Sequence, residues 1–175
     1  YSFEKMFSEI VLSYGGHSAE KYFYDMDGSL GITSDLEHVT KKAMYMVKEF
    51  GQGHHTGRIN INELSGMLSN NVTDAVRSNV EKDIKVITNN ALLVSDLIVE
   101  EYSDFINEFA DKYSNRVGTG DCLIDGDTFR DEFNAWKANQ SPEKKAQLAE
   151  LDKIILLVLI YQVQFQYHHR HNSEQ

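Results

Sequence analysis

The sequence predicts an all-α protein: a helical bundle with an extra carboxy-terminal helix. Apolar residues recur every three or four positions through most of the chain, the spacing that places them on one face of a helix. Only one of the 175 residues is proline, and alternating β-branched runs that would indicate strands are few. With 41% apolar and 11% aromatic residues the chain can form a hydrophobic core, and its length fits one domain, or one domain with an appendage.

The first predicted helix begins after Ser2, which can cap it, and reaches about Tyr22. Its apolar stripe consists of Phe3, Met6, Phe7, Ile10, Val11 and Tyr14. Gly15 and Gly16 follow, and each costs a helix about 1 kcal/mol relative to alanine. The pair could end the helix, or let it continue while a neighbouring backbone approaches closely. The register kept on both sides of the pair favours continuation.

The second predicted helix lies within residues 28–51 and follows a loop at 25–33. Ser34 stands three residues before Glu37, the spacing of a capping box, and Gly51 is placed to end the helix. The predicted buried face consists of Leu36, Val39, Ala43, Val47 and Phe50. Asp35 would then occupy the first helical position, where a carboxylate interacts favourably with the helix dipole.

The middle of the chain is predicted as a loop, a short helix and a long helical region. Residues 51–58 are rich in glycine and histidine, residues 59–61 could form a very short strand, and a brief helix should start at Asn62 or Glu63. From about Val72 a long apolar stripe indicates either two packed helices or one bent helix. Its members are Val80, Ile84, Ile87, Ala91, Val94, Ile98, Tyr102, Phe105 and Phe109.

Two more helix starts are predicted near the end of the chain. After a turn at residues 117–121, a short helix should begin at Asp125 and pack through Phe129, Phe133 and Trp136. The triplet Ser141-Pro142-Glu143 is typical of a helix start. The helix that follows, over residues 141–167, becomes apolar on all sides, so we expect it to bury against the domain or a partner.

Composition excludes several classes of partner and site. A net charge of −10 argues against nucleic acid and anionic membrane surfaces as main partners. The single cysteine, Cys122, excludes a disulfide framework or a cysteine-rich zinc site within the chain and is compatible with a reducing compartment. No signal peptide is evident, and the longest apolar run, residues 154–161, is far shorter than the roughly 20 residues that cross a bilayer. The first residue is tyrosine, which suggests a trimmed chain.

Residues 2–22, SFEKMFSEIVLSYGGHSAEKY, carry a resemblance to the peptidase domain of FtsH-type AAA membrane proteases. That family has a helix with the core Leu-Leu-Gly-Gly-Arg-Ala-Ala-Glu-Glu; the two glycines, Ala19 and Glu20 match, whereas His17 and Ser18 differ. Residues 30–51 resemble the family segment Thr-Gly-Ala-Ser-Asn-Asp-Leu-Glu-Arg-Ala-Thr, with matches at Gly31, Asp35, Leu36, Glu37 and Thr40.

The resemblance extends over residues 1–137. Residues 123–129, LIDGDTF, are similar to the family's closing Leu-Asp-Gly-Glu-Glu-Ile. We therefore expect a carboxy-terminal portion of an FtsH-like peptidase domain at 1–137 and an appended helix with a polar tail at 138–175.

The resemblance also implies a metal site. In the family, zinc is held by two histidines of an H-E-x-x-H motif and by the aspartate that aligns with Asp35, so Asp35 is the expected third ligand. Such a site leaves a position for a water molecule, whose pKa the metal lowers toward about 7. By the same resemblance Glu20 is a candidate for a carboxylate close to the metal, but the interpretation favoured by the sequence is an ordinary solvated helix residue.

The chain itself contains no H-E-x-x-H motif and no AAA ATPase module. Three explanations for their absence are open: a truncated chain, a cleaved or disordered front portion, or a relative that has lost the site. The remaining histidines do not supply the motif, because none forms an i, i+4 pair with a glutamate between. They are loop residues His54 and His55, surface residue His38, and His168, His169 and His171 in a polar tail that could bind metal adventitiously.

Two functions follow from these observations. The first is part of an ATP-dependent zinc metallopeptidase that degrades polypeptides. The resemblance implies a homo-oligomer, a hexamer, in a membrane-associated parent protein that keeps this domain in a reducing, cytoplasm-like compartment. The alternative is an inactive pseudoprotease domain that serves as a helical scaffold or adaptor in oligomer contacts.

Overall fold

The protein is an all-α bundle in the computed structural model, which describes residues 2–68, 72–116, 118–119 and 123–161. Within these ranges the chain forms seven α-helices, a 3₁₀ turn at Ser114–Arg116 and no strand, which confirms the predicted fold class. The helices are α1 (Phe3–Tyr24), α2 (Ile32–Lys48), α3 (Ile61–Met67), α4 (Asp74–Glu101), α5 (Ser103–Tyr113), α6 (Gly126–Ala138) and α7 (Pro142–Tyr161).

Helices α1, α2 and α4 form the centre of the bundle. Ser18 of α1 donates a buried hydrogen bond to Ser95 of α4 at 2.9 Å, and Tyr22 reaches Ser103 just beyond α4 at 3.3 Å, so α1 and α4 run parallel. The main core contains residues of four helices. They are Met6, Phe7, Ile10 and Tyr14 of α1; Val39, Ala43, Met46 and Val47 of α2; Ile87, Ala91 and Val94 of α4; and Val158 of α7.

Helix α1 continues through the glycine pair, as its register predicted. Ser2 caps it by accepting from the Lys5 amide at 3.2 Å. The stripe residues Met6, Phe7, Ile10 and Tyr14 are buried in the core, whereas Leu12, which lies outside the stripe, is 79% exposed. The predicted face of α1 is therefore the face that packs in the core.

The predicted buried face of α2 is only partly right. Val39, Ala43 and Val47 are buried, but Leu36 and Phe50 are 43% and 46% exposed. Leu36 is the fifth residue of the helix and lies near its exposed start, and Phe50 follows the end of the helix, where the chain no longer keeps the helical register. Met46 is the fully buried residue that the pattern omitted.

The segment after α2 contains no strand at residues 59–61, contrary to the prediction. Ile61 is instead the first residue of α3, because Asn60 accepts a hydrogen bond from the Glu63 amide at 3.0 Å and caps that helix. Gly51 has the left-handed conformation expected of it, with φ 59°, but α2 ends three residues earlier, at Lys48.

The long apolar stripe belongs to two consecutive helices, α4 and α5, one of the two predicted arrangements. Thr73 caps α4 by accepting from the Val76 amide at 3.3 Å. The predicted turn at 117–121 lies largely outside the described residues; within it, Gly118 has φ 84°.

Helix α6 begins where predicted and completes a second, aromatic cluster. Asp125 accepts from the Thr128 amide at 2.7 Å and caps the helix. The cluster joins α5, α6 and α7 through Phe105, Trp136 and Leu148, with Tyr102, Phe109 and Phe133 packed around them.

Helix α7 packs on the bundle through one face rather than on all sides. Ser141 caps it by accepting from the Lys144 amide at 3.1 Å, and Pro142 is its first residue. Leu148, Leu151 and Val158 are buried, whereas Leu156, Leu157 and Ile160 are 54%, 41% and 60% exposed. The division at residue 137 stays a prediction, and residues 162–175, with the three terminal histidines, lie outside the described ranges. None of the described helices has the length and apolar character needed to span a membrane.

Candidate metal centre

Asp35 lies in the first turn of α2, as its fourth residue rather than its first. The helix begins at Ile32 because Gly31 already has helical dihedrals, φ −63° and ψ −24°. The predicted capping box is therefore wrong: the Ser34 hydroxyl donates to the Gly31 carbonyl at 3.4 Å, and the Glu37 carboxylate pairs with Lys41 one turn on. A hydrogen bond from Lys41 lowers the pKa of Glu37.

Asp35 is half-buried, and its position suits both interpretations. A carboxylate in the first turn interacts favourably with the helix dipole whether or not it also binds a metal. Within the ranges described, no hydrogen bond or ion pair holds its side chain, so a lone pair remains available for a ligand from elsewhere.

Glu20 holds the loop that leads into α2. One carboxylate oxygen accepts from the Ser29 amide and the other from the Ser29 hydroxyl, both at 3.0 Å. Glu20 is thus half-buried and hydrogen-bonded within the chain, not the solvated helix residue that the sequence favoured. The bonds fix residues 25–31 against α1, immediately before the turn that carries Asp35. A position of Glu20 close to a bound metal stays a prediction.

The hairpin of α1 and α2 places Asp35 at about the same level along the helix axes as the glycine pair. Lys42 pairs with Glu9 near one end of the hairpin, and Ser29 binds Glu20 near the other, so the two helices run antiparallel. Between these links the register puts Asp35 level with Gly15 and Gly16. A Cβ built on either glycine would meet no atom within 4 Å outside its own helix turn, so this part of α1 is open.

The described histidines do not assemble around Asp35. The Nδ1 atom of His17 is buried without a hydrogen-bond partner among the described residues. The His17 ring packs against Gly28, where an added Cβ would lie 3.3 Å from this atom. His38 is exposed and lines a groove of about 390 Å³ between α1 and α2, together with Lys42 and Tyr45. His55 lies at the other end of α2 and pairs with Asp83.

The donor set does not by itself fit zinc. Within the residues that the structure describes, no three histidine, cysteine, aspartate or glutamate side chains are grouped so as to hold a metal ion. A zinc site needs three or four ligands of these types. Asp35 can supply one of them, and the others would have to come from outside the described residues.

The sequence interpretation missed Asp83, the most buried carboxylate of the described chain, at 2% exposure. It accepts hydrogen bonds from the amides of His55 and Thr56 and from the His55 ring. The available signal was an aspartate within the apolar stripe of α4, where a buried carboxylate needs hydrogen-bond donors from elsewhere in the chain.

The described chain is thus an all-helical domain that carries one half-buried carboxylate in the first turn of α2 and two unobstructed glycines in α1. Comparison with known proteins gives the family. The sequence profile described as peptidase family M41 matches residues 1–115, and the chain belongs to that family.

A curated protein of known name also aligns with the chain. The chain is 27% identical over 120 residues to the ATP-dependent zinc metalloprotease FtsH of Corynebacterium glutamicum, an alignment that covers 64% of this chain and 14% of the relative. The chain thus spans about a seventh of that protein. No solved structure matches significantly. The LIDGDTF element at residues 123–129 lies outside the span matched to the family.

Proposed function

We propose that this chain is the carboxy-terminal part of the peptidase domain of an ATP-dependent zinc metalloprotease that degrades polypeptides. Membership of peptidase family M41 supports the reaction class. In this proposal Asp35 supplies one zinc ligand, and an H-E-x-x-H segment outside the 175 residues supplies two histidines. The ATPase would belong to a module outside these residues, and the relative's name, an ATP-dependent zinc metalloprotease, supports ATP dependence.

The observation that carries the proposal is the open glycine face level with Asp35. A helix that brought two histidines to Asp35 would have to approach α1 closely, and glycine is the residue that permits such an approach. Gly15 and Gly16 provide that space in the middle of a helix whose stability they lower. If nothing packed against this face, alanine at both positions would make the helix more stable.

The test is Asp35→Asn in the intact protein that contains the H-E-x-x-H segment. We expect peptidase activity and bound zinc to fall by at least about 100-fold, because even the loss of an outer-shell partner costs 10–100-fold. The helical circular dichroism should stay unchanged. Asp27→Asn, in the exposed loop before α2, is the matched control. Full activity of Asp35→Asn would reject the assignment.

The wider setting is part of the proposal. By resemblance, the intact protein is a homo-oligomer, a hexamer, that is anchored in a membrane through segments outside these residues. Its peptidase portion would face a reducing, cytoplasm-like compartment.

A second candidate function is a catalytically inactive scaffold that mediates oligomer contacts. The exposed apolar residues Leu156, Leu157 and Ile160 on α7 support it, because they form a contiguous face that no described part of the chain covers. The double variant Leu156→Lys/Ile160→Lys should then reduce the oligomer size in light scattering and leave the fold intact. An unchanged particle size would reject this function.

A further inference from the structure

Residues 51–60 form a short segment, here called the strap, that closes over the junction of α2 and α4. It contains three glycines, of which Gly51 and Gly57 have positive φ, and it holds a turn in which the Gly57 amide donates to the Gly53 carbonyl at 3.0 Å. Its first residues are attached to α2 by a hydrogen bond from the Gln52 amide to the Met46 carbonyl at 3.0 Å. The strap has no regular secondary structure to hold it in place.

Asp83 of α4 closes the strap. Its carboxylate is 2% exposed and accepts three hydrogen bonds from it: the His55 amide at 3.0 Å, the His55 Nδ1 at 2.8 Å and the Thr56 amide at 2.7 Å. Hydrogen bonds to a charged group are the stronger kind. The two sides also fit closely, because a Cβ built on Gly53 would lie 2.1 Å from the Asp83 Oδ2 atom.

Other features of the closed strap oppose closure. The Gln52 side-chain oxygen is buried without a hydrogen-bond partner among the described residues, and such an atom loses the water that it would bind in an open state. Burial of the Asp83 carboxylate carries its own desolvation cost. The three glycines lose more conformational freedom on closure than other residues would. Closure of the middle of the strap therefore depends on hydrogen bonds to one carboxylate and works against several costs.

The far end of the strap is held separately. Glu49, directly after α2, accepts from the Asn60 side-chain amide at 3.3 Å and is also bonded to Asn62 in α3. The strap is thus fixed at both ends and latched in the middle, the arrangement of a segment that can open without detaching α3.

We infer that the strap is a conformational device: it opens as a local unit, with Asp83 as its latch, while the helices stay folded. Opening exposes the Asp83 carboxylate and the junction between the end of α2 and α4. Local openings of this kind occur with free energies far below that of global unfolding.

Native-state hydrogen exchange of the 175-residue chain tests the inference. The amides of His55 and Thr56 should exchange faster than those of core residues of α4 such as Ile87 and Val94. In Asp83→Asn their exchange should accelerate by roughly tenfold or more, since hydrogen bonds to a charged group are lost, while protection in α4 changes little. Asp74→Asn, an exposed position of the same helix, is the control and should leave the strap unchanged.

Limited trypsin digestion gives a second measurement. Cleavage after Arg58, an exposed residue of the strap, should quicken in Asp83→Asn and in Gly53→Ala, whose added Cβ must displace the Asp83 carboxylate. Equal protection of the strap and of α4 in the natural chain would overturn the inference. So would unchanged exchange and cleavage in both variants, or global unfolding of both, because the strap would then not be a separate unit.

Discussion

Both carboxylate oxygens of Glu20 accept hydrogen bonds from Ser29, one from the amide and one from the hydroxyl, at 3.0 Å each. This contact ties α1 to the loop before α2 and so fixes where the first turn of α2 begins. The residue that the resemblance singled out as a carboxylate near the metal is, in the folded chain, a loop anchor.

Removal of this anchor should destabilise the loop without unfolding the bundle. Because hydrogen bonds to charged groups contribute about 1.5–3 kcal/mol and Glu20 is only half-buried, Glu20→Gln should lower the free energy of unfolding by roughly 1–2 kcal/mol. Urea unfolding measures the change. Ser29→Ala should lose a similar amount, and the double variant should lose less than the sum of the two, since both remove the same contact. Strictly additive effects would contradict the pairing.

Alanine at Gly15 or Gly16 should have opposite effects in the 175-residue chain and in the intact protein. In the 175-residue chain, Gly15→Ala and Gly16→Ala should each raise the free energy of unfolding by about 1 kcal/mol. Alanine has a higher helix propensity than glycine, and the added Cβ would contact no neighbouring atom. In the intact protein the same changes should reduce peptidase activity, since a Cβ would obstruct the incoming segment. Gly66→Ala in α3 also meets no atom within 4 Å and is the control, with stability but not activity affected. Unchanged activity of both variants would count against docking at this face.

Helix α7 should prove to be part of the core and not a removable appendage. Leu148 is 4% exposed and packs in the aromatic cluster with Phe105 and Trp136, so Leu148→Ala should cost about 2–5 kcal/mol. Leu156→Ala on the same helix, where the side chain is 54% exposed, should stay within about 0.5 kcal/mol. Thermal or urea unfolding distinguishes the two. Equal, small effects would show that α7 contributes little to the fold.

Stability should fall on acidification through the protonation of Asp83. Burial disfavours the charged carboxylate, but hydrogen bonds from Thr56 and His55 outweigh it, and the pKa of Asp83 is lowered. The folded chain then binds fewer protons than the unfolded chain, whose aspartate pKa is about 3.9. The contribution is therefore complete above this value and is lost as the pH falls through the folded-state pKa. The difference in free energy of unfolding between the natural chain and Asp83→Asn, measured from pH 7 to pH 3, should shrink at the acid end. A difference independent of pH would refute the assignment.

Local signals in the sequence located most of the helices. The starts of α6 and α7 depend on Asp125 and on Ser141 with Pro142, whose capping roles act within three residues, and both are correct. The start of α2 was misplaced for a tertiary reason. Glu20 holds Ser29 nine residues along the chain, and the resulting turn brings Gly31 into helical geometry before the Ser34 cap could act.

The sequence by itself determined the fold class, the course of α1 through its glycines and the membership of a peptidase family, because short-range periodicity and ordered motifs carry that information. Only the tertiary structure decided that Asp83 latches a strap around His55, 28 residues away, and that α7 contributes Val158 to the core of α1, α2 and α4. Contacts between distant residues depend on how helices pack, and packing leaves no fixed spacing in the sequence.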